Sequence, residues 1–210
     1  MKRVFAAFFV IVSFLTIPVS ALEASAYIVI EQSTGRVLYE ANADSPMPMA
    51  STTKVMTAVL VIENLDLAKE YDIPDGAVGI PGSSIYLKKG EKLTGEELLY
   101  GLMLASGNDA AYALAELTSG SVEAFVEKMN QKAVELGLEH TRFADPCGLA
   151  AQNHYTSARD LAVLCAYALN NEIFARVVAT QNYQIPGAEE GTLRYLHNKN
   201  RILGECLGGN

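Results

Sequence analysis

Two short polar motifs stand at the boundaries of apolar, helix-like runs. The first is Ser51-Thr52-Thr53-Lys54, which opens an apolar run over 55–62, and the second is Ser106-Gly107-Asn108. A serine three residues before a lysine at a helix start lies on the same helix face as that lysine. The hydroxyl of Ser51 and the amine of Lys54 would then be within reach of each other, as a nucleophile and its general base must be.

Each of these residues also has a structural explanation. Motifs of the S-x-x-K type arise about once by chance in a chain of this length. Ser51 could be a helix N-cap, Gly107 a left-handed helix stop, and Asn108 a cap for the helix that follows. We interpret Asp109 as an acidic residue at the start of that helix. Lys54 is harder to explain in this way, because a lysine in a first turn opposes the helix dipole.

The sequence around the motifs extends the pattern. From Tyr27 it includes YIVIEQSTGRVLYEANAD, MASTTKVMTA, GSSIYLKKGEKLTGEELLYGLMLASGNDAAYALAE, FVEKMNQKAVELGLEHTRFADPCGL and HYTSARDLAVL. In this order the segments resemble the serine-type D-alanyl-D-alanine carboxypeptidases, the low-molecular-mass penicillin-binding proteins. The resemblance implies that Ser51 is acylated, that Lys54 is its base, that Ser106 relays a proton to the leaving amine, and that Asn108 binds the substrate amide.

The family's third motif, K-T-G, does not occur in this sequence. The run Asn198–Leu203 resembles the segment that precedes K-T-G in the family, and the sequence ends at Asn210. We therefore expect a domain cut short before its third motif, with its C-terminal strands missing. Such a chain is expected to fold poorly by itself and to have little or no carboxypeptidase activity.

The reaction that the resemblance implies is acyl transfer to Ser51. The terminal D-alanine of a peptidoglycan stem peptide ending in D-Ala-D-Ala leaves, water releases the acyl-enzyme, and β-lactams acylate the same serine. No metal or organic cofactor is required. Lys54 must be neutral to act as a base, which at pH 7 requires a pKa about 3.4 units below that of a lysine in water. Burial and neighbouring cations can supply such a shift.

Two other functions remain open from the sequence. A class A-like β-lactamase shares S-x-x-K, but it would normally show S-D-N, and Gly107 stands where that aspartate would be. A non-catalytic cell-wall-binding protein derived from the same fold could lose K-T-G without penalty. Penicillin turnover would separate the first alternative from a carboxypeptidase.

The start of the chain predicts export. Lys2 and Arg3 precede an apolar run over 4–19 that is followed by small residues, as in a secretory signal peptide. We expect residues 1–21 to be the signal peptide, with cleavage after Ala21; a cut after Ala26 is the alternative. The protein would then act outside the cytoplasm, and its only membrane association would be through a C-terminal tail that is common in the family and missing here.

The composition of the chain restricts the classes of partner that it can bind. The chain carries 24 acidic and 16 basic residues, a formal net charge of −8, which argues against nucleic acid or anionic lipid as the main partner. The odd, widely spaced cysteines indicate neither a disulfide framework nor a zinc site. We interpret the cysteines as free, mostly buried thiols and the histidines as structural or surface residues: Cys147, Cys165, Cys206, His140, His154 and His197.

The order of the elements predicts an α+β fold. A β-hairpin is followed by a helical middle, and strands return only near the end: Tyr27–Glu31, Arg36–Glu40, helices near Ser51, over 98–105, 109–117, 122–136 and 161–169, then strands over 183–186 and 192–196. The resemblance specifies a β-lactamase/transpeptidase-like domain over 22–210, with an antiparallel sheet and a helical subdomain.

Overall fold

The structure is a computed structural model that describes residues 24–150, 152–200 and 203. Its strands are β1 Tyr27–Ile30, β2 Val37–Ala41, β3 Glu70–Asp72, β4 Lys92–Thr94, β5 Asn182–Pro186 and β6 Leu193–His197. Its α-helices are α1 Lys54–Asn64, α2 Gly95–Leu104, α3 Asn108–Ser119, α4 Val122–Glu135, α5 Ala158–Leu169 and α6 Glu172–Ala179. The α+β prediction is confirmed. The predicted signal peptide and Cys206 lie outside the described residues.

The described strands form three antiparallel pairs, β1–β2, β3–β4 and β5–β6. The first hairpin has the predicted position, but both strands stop short of the turn because Glu31 closes it. The Glu31 carbonyl accepts the N–H of Gly35 at 2.8 Å, and its N–H donates to the Arg36 carbonyl at 2.9 Å. Completion of a larger sheet by further strands stays a prediction.

The core is helical, and α1 lies at its centre. Met56, Ala58 and Val61 of α1 are fully buried, because α1 is packed by α2, α3, α4, α5 and α6. A helix apolar on most sides is stable only when it is surrounded in this way. Helix α1 therefore fixes the position of Lys54, its first residue, relative to the rest of the molecule.

Thr94 and Glu97 have the three-residue spacing that predicts a capping box, and they form one at the start of α2. The Thr94 hydroxyl accepts the Glu97 N–H at 3.2 Å, and the Glu97 carboxylate accepts the Thr94 N–H at 2.7 Å. Ser157 and Asp160 have the same spacing, but only one of the two capping hydrogen bonds forms. The Ser157 side chain caps α5 by accepting the Asp160 N–H, whereas the Asp160 carboxylate accepts the His140 N–H and the Thr141 hydroxyl, both at 2.7 Å.

Helix α6 was not predicted. It has eight residues, it is N-capped by Asn171, and it packs against α1, α2 and α5; Phe174 and Val177 are its buried residues. Its shortness explains the omission, because two turns give too few positions for a clear periodic pattern.

Among the described residues, none of the helices has by itself the length and apolar character that crossing a bilayer requires; only α5 and α6 together reach it, as a pair bent by 104°.

Candidate active site

Ser51 lies in a tight 3-10 turn, Ala50–Thr53, that leads directly into α1. Two threonine hydroxyls close this turn. Thr52 donates to the Met49 carbonyl at 2.5 Å, and Thr53 donates to the Ala50 carbonyl at 2.7 Å. Ser51 is exposed and stands beside the N-terminal end of α1, where unpaired N–H groups and the helix dipole favour negative charge.

Lys54 is buried at the centre of the site, with 2% of its surface exposed. Its Nζ lies 3.3 Å from Ser51 Oγ, 2.8 Å from Asn108 Oδ1 and 2.9 Å from the Cys147 carbonyl oxygen. These three partners match the three protons of an ammonium group. Deprotonation therefore leaves the amine held in place, with a lone pair available to a neighbouring hydroxyl.

The pKa of Lys54 lies below its ordinary value. Burial is the largest cause, and the positive charge of Lys199 acts in the same direction. The carboxylates of Asp145 and Asp109 oppose it. Burial also raises the pKa of the Cys147 thiol to about 12, so this neighbour is uncharged near neutral pH. The direction of the shift is the one that a lysine general base requires.

The Ser106-Gly107-Asn108 motif connects α2 to α3, but its conformation differs from the structural alternative considered for it. Ser106 itself has the left-handed backbone, with φ +58°, whereas Gly107 is extended, with φ −63°. Gly107 occupies the N-cap of α3, and Asn108 is the first helical residue instead of a cap. A β-carbon on Gly107 would lie 3.0 Å from the Asp109 carboxylate and 3.2 Å from the Gly101 carbonyl, so space favours glycine there.

Asn108 is 5% exposed and its carboxamide has a fixed orientation. Oδ1 accepts from Lys54, and Nδ2 donates to the Pro81 carbonyl at 2.7 Å. One Nδ2 proton remains for a ligand. Ser106 is half-buried, and its hydroxyl forms no hydrogen bond within the described residues. The structure thus brings Ser51, Lys54 and Asn108 together, and places Ser106 two residues from Asn108 without a direct bond to Lys54.

One contact of Lys54 comes from a loop that the sequence did not single out. In this loop the Asp145 carboxylate accepts the N–H groups of Cys147 at 2.7 Å, Gly148 at 2.5 Å and Ala150. Burial acts against ionisation of Asp145, but these donors outweigh it and its pKa is lowered. The folded loop directs the Cys147 carbonyl at Lys54. An Asp-Pro-x-Gly turn was the signal in the sequence that could have indicated such a loop.

Asp109 does more than place a charge at a helix start. It is 1% exposed, and it accepts the Ser84 hydroxyl at 2.6 Å and the N–H groups of Ile85 and Leu87 at 3.1 Å. The neighbouring Asn108 N–H donates to the Ser83 carbonyl at 2.7 Å. The start of α3 therefore holds the segment 83–87 as one wall of the site.

Lys199 brings a second cation to this wall. Its Nζ lies 3.3 Å from Ser83 Oγ, and no acidic side chain within the described residues pairs with it. Lys199 belongs to the run Asn198–Leu203, and no role in the site was predicted for it. In the parts of the chain that are described, no group of His, Cys, Asp and Glu side chains could hold a metal ion.

Known proteins resemble this chain over most of its length. Residues 14–206 match the D-alanyl-D-alanine carboxypeptidase family, peptidase S11. The chain is 40% identical over 189 residues to D-alanyl-D-alanine carboxypeptidase DacF of Bacillus subtilis, covering 87% of this chain and 48% of DacF. It is 40% identical over 191 residues to the D-alanyl-D-alanine carboxypeptidase of Streptomyces sp. strain K15, covering 83% of this chain and 66% of that protein.

Solved structures show the same fold. A D-alanyl-D-alanine carboxypeptidase from Mycobacterium tuberculosis superposes with a TM-score of 0.82 at 31% identity, over 87% of this chain and 69% of that one. The Streptomyces K15 DD-transpeptidase gives 0.79 at 35% identity, over 87% and 76%. The chain spans about half the length of DacF and of DacC from Escherichia coli. The chain belongs to the D-alanyl-D-alanine carboxypeptidase family.

Proposed function

We propose that this chain carries the acyl-transfer centre of a serine D-Ala-D-Ala carboxypeptidase. The observation that carries the proposal is the buried Lys54 amine, 3.3 Å from Ser51 Oγ, with its pKa lowered by burial. A structural lysine has no need of such a position, whereas a general base does. Membership of the D-alanyl-D-alanine carboxypeptidase family supports the same function.

In the proposed reaction Lys54 takes the proton of Ser51, and the freed oxygen attacks the carbonyl of the penultimate D-alanine. The oxyanion forms near the Ser51 N–H, for which no acceptor is found among the described residues, and near the positive end of α1. Ser106 passes a proton to the departing amine of the terminal D-alanine. Water then releases the acyl group from Ser51, and Asn108 holds the substrate amide through its remaining Nδ2 proton.

The proposed substrates are peptidoglycan stem peptides ending in D-Ala-D-Ala, and β-lactams are the proposed inhibitors. The names of the relatives support this substrate class. Peptidoglycan lies outside the cytoplasm, so we also propose export by the predicted signal peptide, with cleavage after Ala21. Neither a metal nor an organic cofactor has a role in this acyl transfer.

The test is covalent labelling. A longer version of the protein that includes a K-T-G motif is incubated with a labelled penicillin and digested, and the adduct is mapped by mass spectrometry. We expect the label on Ser51, its loss in Ser51→Ala, and unchanged labelling in Ser33→Ala, a control in the exposed turn of the first hairpin. Label on another serine would overturn the proposal, and rapid release of hydrolysed penicillin would favour the β-lactamase alternative.

A further inference from the structure

Asp109 is a buried carboxylate in the first turn of α3. It is 1% exposed, and no lysine or arginine within the described residues forms an ion pair with it. An acidic side chain interacts favourably with a helix N-terminus while it remains in water, whereas burial of a carboxylate costs free energy unless hydrogen bonds compensate it. The helix dipole alone therefore does not account for this position.

The 84–87 segment folds around the Asp109 carboxylate. Oδ2 accepts the Ser84 hydroxyl at 2.6 Å and the Leu87 N–H at 3.1 Å, and Oδ1 accepts the Ile85 N–H at 3.1 Å. Tyr86, between these donors, has a left-handed backbone with φ +61°, and its N–H donates to Ser84 Oγ at 2.8 Å. Backbone N–H groups around a left-handed residue form a concave site for an anion. In this protein the anion is the side chain of Asp109.

The same stretch of backbone holds the carboxamide of Asn108. The Pro81 carbonyl accepts Asn108 Nδ2 at 2.7 Å, and the Ser83 carbonyl accepts the Asn108 N–H at 2.7 Å. Between them, a β-carbon on Gly82 would lie 2.7 Å from Asn108 Nδ2, so the backbone packs directly on the carboxamide. The other end of the carboxamide, Oδ1, is 2.8 Å from Lys54 Nζ. An unbroken series of contacts thus leads from Asp109 through the 81–87 segment to Lys54.

We infer that Asp109 is a positioning residue for acyl transfer: its carboxylate holds the 81–87 segment in the conformation that fixes the Asn108 carboxamide against Lys54. The inference rests on the proposed function, because it takes Lys54 to be the general base and Asn108 to bind the substrate amide. Asp109 itself is not among the hydrogen-bond partners found for Lys54, which are Ser51, Asn108 and the Cys147 carbonyl. It acts through the segment that it organises.

Positioning and charge predict opposite effects when Asp109 is replaced. Burial is the largest cause of the lowered pKa of Lys54, and the Asp109 carboxylate acts against it. Loss of this charge therefore lowers the pKa of Lys54 further and increases its neutral fraction at pH 7. If Asp109 acted by charge alone, its replacement would accelerate acylation of Ser51. A positioning role requires that acylation becomes slower. The other titratable groups that act on Lys54 stay unchanged: Cys147, Asp145 and Lys199.

The experiment measures the rate constant of Ser51 acylation by a labelled penicillin between pH 6 and pH 10, in the longer version of the protein that includes a K-T-G motif. The final amount of label counts the molecules that can react, so the rate constant does not depend on how many molecules fold. We expect Asp109→Asn to decrease the rate constant about 10-fold or more at every pH, because small displacements of reacting groups are costly. Its pH profile should move to lower pH.

Two further variants separate positioning from charge and from stability. Ser84→Ala keeps the Asp109 charge and removes one donor to it, so it should give a smaller decrease with an unshifted pH profile. Asp160→Asn is the matched control, because Asp160 is also a buried carboxylate in a first helical turn. Its partners are the His140 N–H and the Thr141 hydroxyl. This variant should lose stability and keep both the rate constant and the profile.

The inference is overturned if Asp109→Asn is acylated as fast as the unaltered protein or faster, or if Asp160→Asn slows acylation to the same extent. If Asp109→Asn does not fold, Ser84→Ala decides, and an unchanged rate constant in that variant overturns the inference. These failures leave the proposed function standing as long as the unaltered protein is labelled on Ser51. An unlabelled Ser51 in the unaltered protein removes both.

Discussion

The imidazole of His154 is hydrogen-bonded to the hydroxyl of Thr53, the residue before Lys54, with 2.7 Å between His154 Nε2 and Thr53 Oγ1. Thr53 already donates its proton to the Ala50 carbonyl, so Nε2 must be the donor. On the other side of the ring, Nδ1 accepts the Ala144 N–H at 2.9 Å. These partners require the neutral Nε2–H tautomer and connect the nucleophile turn to a segment a hundred residues away.

This arrangement predicts a loss of stability in mild acid. Burial lowers the pKa of His154, although the Asp145 carboxylate acts in the opposite direction. The unfolded state therefore binds a proton more readily than the folded state, and stability falls as the pH decreases below about 6.5, the ordinary value. We expect the melting temperature to decrease from pH 7 to pH 5, as measured by circular dichroism.

The matched variants are His154→Gln and His197→Gln. His154→Gln should be less stable at pH 7, because the Ala144 N–H loses its acceptor, and it should show a smaller decrease between pH 7 and pH 5. His197 is exposed on β6, and its replacement should keep the wild-type decrease. An unchanged pH dependence in His154→Gln would contradict the assigned neutral tautomer.

Lys199 is predicted to affect the protonation of Lys54, the proposed general base. Its positive charge lowers the pKa of Lys54, so Lys199→Gln should raise that pKa and decrease the neutral fraction at pH 7. The rate of Ser51 acylation by penicillin should fall a few-fold at pH 7, and its pH profile should move to higher pH. Stopped-flow labelling between pH 6 and pH 10 measures both effects.

The control for this prediction is Lys92→Gln, which removes a cation on β4 that is paired with Asp72 at 3.4 Å. Its profile should coincide with that of the unaltered chain. A Lys199→Gln profile displaced to lower pH, or not displaced, would show that the charge of Lys199 does not act on Lys54.

Local features of the molecule could be predicted from the sequence. The capping box at Thr94 depends on residues three apart, and so does the pairing of Ser51 with Lys54 on one face of a turn. The first hairpin follows from two strand-like runs around a turn. In each case the interacting residues are close along the chain, so their spacing carries the information.

The parts that could not be predicted depend on contacts between distant segments. The Cys147 carbonyl lies 93 residues from Lys54, and His154 lies 101 residues from Thr53. The spacing of residue types along the chain does not predict contacts between such distant residues. A sequence motif also cannot identify a functional backbone carbonyl, because every residue has one. Asp109 was underestimated for the same reason, since its partners belong to the 84–87 segment.

Gly148 is predicted to be indispensable for the geometry of the site. It has φ +94°, and a β-carbon there would lie 1.9 Å from the Ala50 carbonyl oxygen, in the turn that carries Ser51. Gly148→Ala therefore forces either the 145–150 loop or the nucleophile turn to move. We expect a strong decrease in Ser51 labelling and a loss of stability larger than that from backbone strain alone, measured by urea unfolding.

Gly120→Ala is the control variant, because it introduces left-handed backbone strain without a steric clash. Gly120 ends α3 with φ +80°, and no atom lies within 4 Å of the position of its β-carbon. Its replacement should cost about 1–2 kcal/mol and leave Ser51 labelling intact. Equal behaviour of the two alanine variants would mean that the contact with Ala50 has no effect on the site.

The final prediction concerns the ion pair that fastens the β5–β6 hairpin. Arg194 and Glu91 are both largely buried, with 2.9 Å between Arg194 Nη2 and Glu91 Oε2. Arg194→Leu would leave the Glu91 carboxylate buried without its partner, which typically costs about 3–5 kcal/mol. The double variant Arg194→Leu/Glu91→Leu removes the unpaired charge and should recover part of that loss. Arg36→Leu breaks the exposed pair with Glu31 and should cost less than about 1 kcal/mol. Urea unfolding of the four proteins measures these differences, and a double variant less stable than Arg194→Leu would show that the cost does not come from a stranded charge.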